Sequence, residues 1–178
     1  MSLERGERAP AFRLRGIDNE YWILGEPDRR RCALLAFFRR DISACRTLLP
    51  FIERLHRRSR TQEAEIIGLS LDDQRDTLEF AVDYAFTFPI VVEAPDRASF
   101  AAYRVGEVPT LYLLGPDLTV LESLVGWSKE GFERIAQAYL DRSGAVKTNV
   151  WEPNDAPPDG APAVAVGYPR SGAGAHRA

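Results

Sequence analysis

Apolar positions in the first 142 residues alternate between short unbroken runs and stretches with a three-to-four-residue period. The run Ala33 to Phe38 contains no polar alternation, as expected of a strand covered on both faces. Leu48, Phe51, Ile52 and Leu55 then recur at helical spacing and predict a helix over 43–58, in which Pro50 removes the bond to the Arg46 carbonyl and should introduce a kink. Glu65 to Leu71 reads as a second buried strand, after which Asp72 or Asp73 caps a helix running to about residue 85. This strand-helix-strand-helix order implies parallel pairing with a right-handed crossover. Shorter elements follow: strands at 89–93 and 110–114, a helix at 97–104, an antiparallel strand at 120–125 entered through Gly115-Pro116-Asp117, and an amphipathic helix over 129–142. Residues 10–24 read as an irregular or hairpin-forming segment ahead of these elements.

The rhythm stops after Arg142. Half of the last 36 residues, 18 in all, are Gly, Ala or Pro, and no period is sustained. The chain is therefore divided into a domain over 1–142 and a tail over 143–178. The tail is expected to be disordered and to add little stability, because it cannot bury enough apolar surface to offset its ordering entropy. The contrasting expectation is that Val150-Trp151, or Val164 to Tyr168, anchors it on the domain, where it would be part of the fold and a lid over the candidate site.

Composition narrows the chemistry. With 178 residues, 45% hydrophobic and 28% charged, a net charge of −3 and a pI near 5.5, the chain reads as one soluble domain without the basic surface that general nucleic-acid binding requires. The opening residues, Met1 to Arg8, are charged and have no apolar run behind them, so neither a signal peptide nor a membrane span is expected and the cytoplasm is the expected compartment. Two histidines, His56 and His176, cannot supply a clustered metal site or a Ser-His-Asp triad, and His56 sits among arginines on a solvated helix end. No phosphate-binding loop or dinucleotide fingerprint occurs, and no cofactor is expected.

Two cysteines remain. A strand over 33–38 would separate Cys32 from Cys45 by about 20 Å at ~3.3 Å per residue, too far for a disulfide, so both read as free thiols, with Cys32 a small core residue. Cys45 stands where the helix over 43–58 begins. A helix N-terminus and the nearby Arg39, Arg40 and Arg46 would all favour its thiolate and make it the more reactive of the two. A buried structural thiol is the other reading of the same position. The residue three positions earlier, where a dithiol enzyme carries its second sulfur, is Ile42.

Six marks stand in order within residues 6–117, and the likeness they carry covers about residues 6–141: Gly6 to Leu14, Phe37-Phe38 followed by Cys45-Arg46 and Pro50, Gly68 to Asp72, Tyr84 through Phe88-Pro89, Val108-Pro109-Thr110, and Pro116-Asp117. In these the chain resembles the redoxin branch of the thioredoxin fold, the alkyl hydroperoxide reductase/thiol-specific antioxidant (peroxiredoxin-like) proteins and the thioredoxin-like oxidoreductases. The resemblance implies an α/β fold with a central mixed sheet flanked by helices and an N-terminal extension. It also implies that the Cys45 loop and a cis Pro109 lie side by side, with the Val108 backbone offered to an extended partner chain.

The departures bear on activity. Against the family's C-x-x-C pattern the chain keeps only the second cysteine, Cys45; against its P-x-x-x-[TS]-x-x-C pattern, Phe38 replaces the proline and Ile42 the hydroxyl, with Ser43 offering a hydroxyl one residue on. The leading expectation is a one-cysteine antioxidant oxidoreductase in which Cys45 reduces a peroxide and an external thiol reductant or redox partner protein restores it. Arg39, Arg40, Ile42, Ser43, Arg46, Val108, Pro109 and Thr110 would shape that site. The alternative is a catalytically degenerate module that binds an extended polypeptide beside Pro109, and an unrelated activity on the same scaffold is the third. A homodimer is compatible with any of them.

Overall fold

The computed structural model describes residues 1–26, 31–59, 61–146 and 149–167. The two buried runs form the centre of a mixed sheet. β3 (Cys32–Phe38) and β4 (Ala64–Ser70) pair in parallel, joined by α1 (Ser43–Arg58), and every residue of β3 is buried. The N-terminal hairpin, β1 (Phe12–Gly16) and β2 (Tyr21–Leu24), extends the sheet on one side through β5 (Ile90–Val92). On the other side β7 (Thr110–Leu114) and β8 (Val120–Val125) run antiparallel, which gives the order β2-β1-β5-β4-β3-β7-β8. Between these strands lie α2 (Gln74–Asp83), the short α3 (Ala98–Ala102) and the two-residue β6 (Glu107–Val108); β9 (Trp127–Ser128) leads into α4 (Lys129–Ser143).

Local chemistry explains the element ends. Asp73 caps α2 by accepting the Asp76 amide at 2.8 Å, and Ser128 caps α4 by accepting the Gly131 amide at 2.9 Å. α4 stops at Gly144, whose positive φ of 68° suits a residue without a side chain. α1 runs through Pro50 as one helix. Inside α1, the buried Glu53 accepts the Thr87 amide and hydroxyl, both at 2.7 Å, the Phe88 amide at 3.3 Å and the Arg57 guanidinium at 2.6 Å, tying the helix to the segment before β5. Phe37 packs against Phe100, Tyr103 and Tyr112, and the Tyr112 hydroxyl accepts the Leu3 amide, fastening the N-terminus to the core.

The expectation of an unpacked segment after Arg142 is corrected for residues 149–167. Trp151 lies edge-on to Phe51 at 5.2 Å, beside Phe132 at 5.8 Å and Trp127 at 6.3 Å. Arg54 grips the Asp155 carboxylate with its two terminal guanidinium nitrogens, and Arg58 bonds Glu152 at 2.7 Å. β10 (Gly160–Ala161) pairs with β9, β11 (Val164–Ala165) pairs with β6, and the Trp127 indole donates to the Pro158 carbonyl at 2.7 Å. Backbone bonds, two arginines and one aromatic ring thus hold a segment whose composition is poor in apolar bulk. Tyr168 and His176 lie outside the described residues.

Candidate functional site

In the antiparallel register of β3 and β7, Phe37 stands opposite Thr110. The turn that leaves β3 and the loop that enters β7 therefore emerge at the same end of the sheet, which brings the segment 39–46 beside Val108-Pro109-Thr110. Ile42 is the N-cap of α1, in extended backbone and with no side-chain cap, and its own side chain is buried. Ser43 is exposed at the first helical position. Cys45, the third residue of the helix, is completely buried, with the Arg39 backbone amide directed at its sulfur.

That burial reverses the expected electrostatics. It pushes the Cys45 thiol up to about 12; the Arg39 amide acts in the opposite sense, and the Asp72 and Asp41 carboxylates add to the rise. The Arg39 charge also acts to lower it, but each guanidinium group expected to stabilise a thiolate makes its own contact elsewhere. Arg39 pairs with Asp41 at 2.6 Å, Arg40 with Asp76 at 3.0 Å and Glu79 at 3.4 Å, and Arg46 donates to the Arg40 carbonyl at 3.1 Å. The helix start is not enough to offset desolvation, because its partial charge is small beside the cost of burying an anion. Nor is Cys32 the less accessible sulfur: both are buried, and Cys32 keeps slightly more exposure, 7% against 0%.

Opposite this turn, the Val108–Pro109 bond is cis. Thr110 is buried and its hydroxyl donates to the Glu107 carbonyl at 2.7 Å, fixing the loop, while the Pro109 carbonyl accepts the Gly126 amide at 2.8 Å. The outer edge of β6 pairs antiparallel with β11, Val164 opposite Val108 and Ala165 opposite Glu107.

Several residues at this site escape sequence reasoning. Asp73 is the one of the two candidate caps that caps α2, and Asp72 accepts the Arg40 amide at 2.7 Å and faces Cys45 electrostatically; burial raises its own pKa. Gly126 has φ +79°, and a side chain there would meet the Ala163 nitrogen at 3.1 Å and the Ala161 carbonyl at 3.2 Å. An isolated glycine at the end of a strand pattern is the signal that could have marked this close approach. Among the described residues, no group of three or more His, Cys, Asp or Glu side chains could hold a metal ion, and no helix is long and apolar enough to cross a membrane.

The arrangement thus combines one protonated, enclosed sulfur with a backbone edge that holds an extended strand. The AhpC/TSA family profile matches residues 5–123, which include both. The chain belongs to the AhpC/TSA family. It is similar to the thiol-disulfide oxidoreductase ResA of Geobacillus kaustophilus, 28% identical over 131 residues that cover 72% of this chain and 74% of the relative. It is also similar to ResA of Bacillus subtilis, 24% identical over 130 residues covering 72% of each. Among solved structures, the thioredoxin domain of a thiol-disulfide oxidoreductase from Bacteroides vulgatus superposes with a TM-score of 0.68 at 17% identity, over 78% of this chain and 99% of that one. A thiol:disulfide interchange protein of the thioredoxin family from Chlorobium tepidum gives a TM-score of 0.65 at 17% identity, over 78% and 99%. These likenesses establish the thioredoxin-like fold for this AhpC/TSA member.

Proposed function

We propose that this protein works in thiol–disulfide exchange as a polypeptide-docking redoxin, one that holds an extended partner chain along β6 and lacks the attacking sulfur of a self-sufficient dithiol enzyme. The observation that carries this reading is the edge at Glu107–Val108, which takes an antiparallel strand beside Pro109 while the neighbouring turn offers Ile42 in place of a second cysteine. The names of the similar proteins support the chemical class. The raised pKa and full burial of Cys45 support the absence of independent turnover, since the thiolate and not the thiol is the nucleophile. Insulin-disulfide reduction tests it. The parent should not turn over, and Ile42→Cys should form a disulfide with Cys45 and gain activity. Catalytic reduction by the parent would overturn the reading.

A second reading, peroxide reduction by Cys45, is favoured by the Arg39 amide on its sulfur, a donor that would stabilise a thiolate once one formed. In that reaction the thiolate attacks the peroxide O–O bond, giving sulfenic acid and water; one external thiol then condenses with loss of water, and a second releases it as a disulfide. Rapid, stoichiometric loss of one thiol on hydrogen peroxide addition would establish this reading over the first.

A further inference from the structure

The edge of β6 is already occupied in this molecule by its own chain. β11 lies antiparallel on Glu107–Val108, the Val166 amide donates to the Gly106 carbonyl at 2.8 Å, and Val166 is buried against the domain. The strand reaches this place over Gly126, the residue whose amide binds the Pro109 carbonyl and whose missing side chain leaves room for Ala161 to Ala163. A sheet edge with unpaired donors and acceptors accepts any extended chain of suitable side chains, and the resident strand therefore displays what the edge selects. Its sequence, Ala161-Pro162-Ala163-Val164-Ala165-Val166, is made of small and β-branched apolar residues and one proline ahead of the paired strand, with no charge.

We propose that β11 is a resident stand-in for a partner: the edge of β6 takes an extended, uncharged segment of small and β-branched residues, and β11 must lift off before that segment docks. This inference rests on the docking reading above and adds the partner's chemistry and its competitor. The attachments are of a kind that can be released. Each pairing, β9 with β10 and β6 with β11, is two residues long. Glu152, half exposed, is held through arginines that salt screens. The Trp151 indole nitrogen is buried with no hydrogen-bond partner among the described residues, so docking this ring leaves a donor unsatisfied. A site that its own chain fills binds a second ligand in proportion to the open fraction, so loosening the strap should raise apparent affinity.

The test uses the full chain and a fluorescein-labelled synthetic peptide with the sequence of residues 160–167. Val166→Pro removes the amide that bonds Gly106, and Asp155→Asn weakens the Arg54 clasp at a distance from β6. Amide exchange over residues 149–166 reports release, and Asp155→Asn carries the test if Val166→Pro does not fold. The released variants should bind the peptide at least tenfold more tightly than the parent. Parent and released variants binding it equally well would overturn the strap as competitor while leaving the docking edge in place. Variants with freed straps that bind no peptide would overturn both.

Discussion

Native-state alkylation of Cys45 gives a quantitative test of how the site is built. The perturbation is iodoacetamide at pH 7, with the protein folded and then in denaturant. In the unfolded chain a thiol with its ordinary pKa of 9.0 is ionised in about 1 molecule in 100; with the pKa pushed up to about 12, the fraction falls to about 1 in 100,000. Ionisation alone therefore predicts about a thousandfold slower reaction, and complete burial slows it further by requiring local opening of α1's first turn. Mass spectrometry of tryptic peptides over a time course, with Cys32 as the internal comparison, reads both rates. Neither sulfur should label quickly, and Cys45 should be no faster than Cys32. Labelling of Cys45 within tenfold of its denatured rate would refute the argument, because it would mean that the anion is stabilised by more than burial costs.

Three further outcomes follow from the packing. Trp151→Ala should cost about 2 kcal/mol, less than the 3–5 typical of a fully buried tryptophan because the ring is partly exposed and its nitrogen unpaired, which lowers Tm by about 4–8 °C in calorimetry; an unchanged Tm would show that the ring does not dock. Glu53 has its pKa lowered: burial acts to raise it, but the Thr87 amide and hydroxyl, the Arg57 guanidinium and the Phe88 amide outweigh that. Its stabilising contribution is present above the ordinary value of 4.5 and is lost as pH falls below it, so Glu53→Gln should cost about 3 kcal/mol at pH 7 and flatten the acid limb of a pH-dependent unfolding curve. Cys45 has the opposite sign: its raised pKa leaves its contribution to the fold intact below pH 9.0, and that contribution should fall by about 1.4 kcal/mol per pH unit from there towards 12, the part of the alkaline slope that Cys45→Ala removes in urea titrations while the parts from Cys32 and the buried tyrosines stay.

Where local signals decide the outcome, the chain was readable. The helix expected over 43–58 is Ser43–Arg58, and the strands expected at 110–114 and 120–125 are Thr110–Leu114 and Val120–Val125, because each is fixed by its own apolar period and by the turn at Gly115. The neighbourhood of Cys45 with Pro109 was legible only through the resemblance, since it depends on strands distant in sequence. The state of Cys45 was not legible. Its pKa depends on what covers it, and Arg40 is drawn away by Asp76 and Glu79 on a different helix, a competition that no local motif displays. Residues 149–167 went against the leading expectation of disorder, and with the contrasting one of an anchor at Trp151, for a related reason. Composition measures apolar bulk, whereas Trp151 needs only the recess formed by Phe51, Trp127 and Phe132, and the rest of the segment is held by backbone bonds that Gly, Ala and Pro-rich sequence conceals.

The aromatic recess also gives the molecule an optical readout. Of its three tryptophans, Trp22 lies on β2, in the hairpin at the opposite edge of the sheet, whereas Trp127 and Trp151 share one cluster with Phe51. Indole emission moves to longer wavelength when the ring passes from an apolar surround into water, so departure of Trp151 should redden the spectrum and alter energy transfer with Trp127 while the fold around Trp22 stays silent. Replacing Trp22 with Phe would leave a two-tryptophan protein whose unlabelled fluorescence follows one segment's attachment in real time. Stopped-flow mixing could then time each detachment without any attached dye.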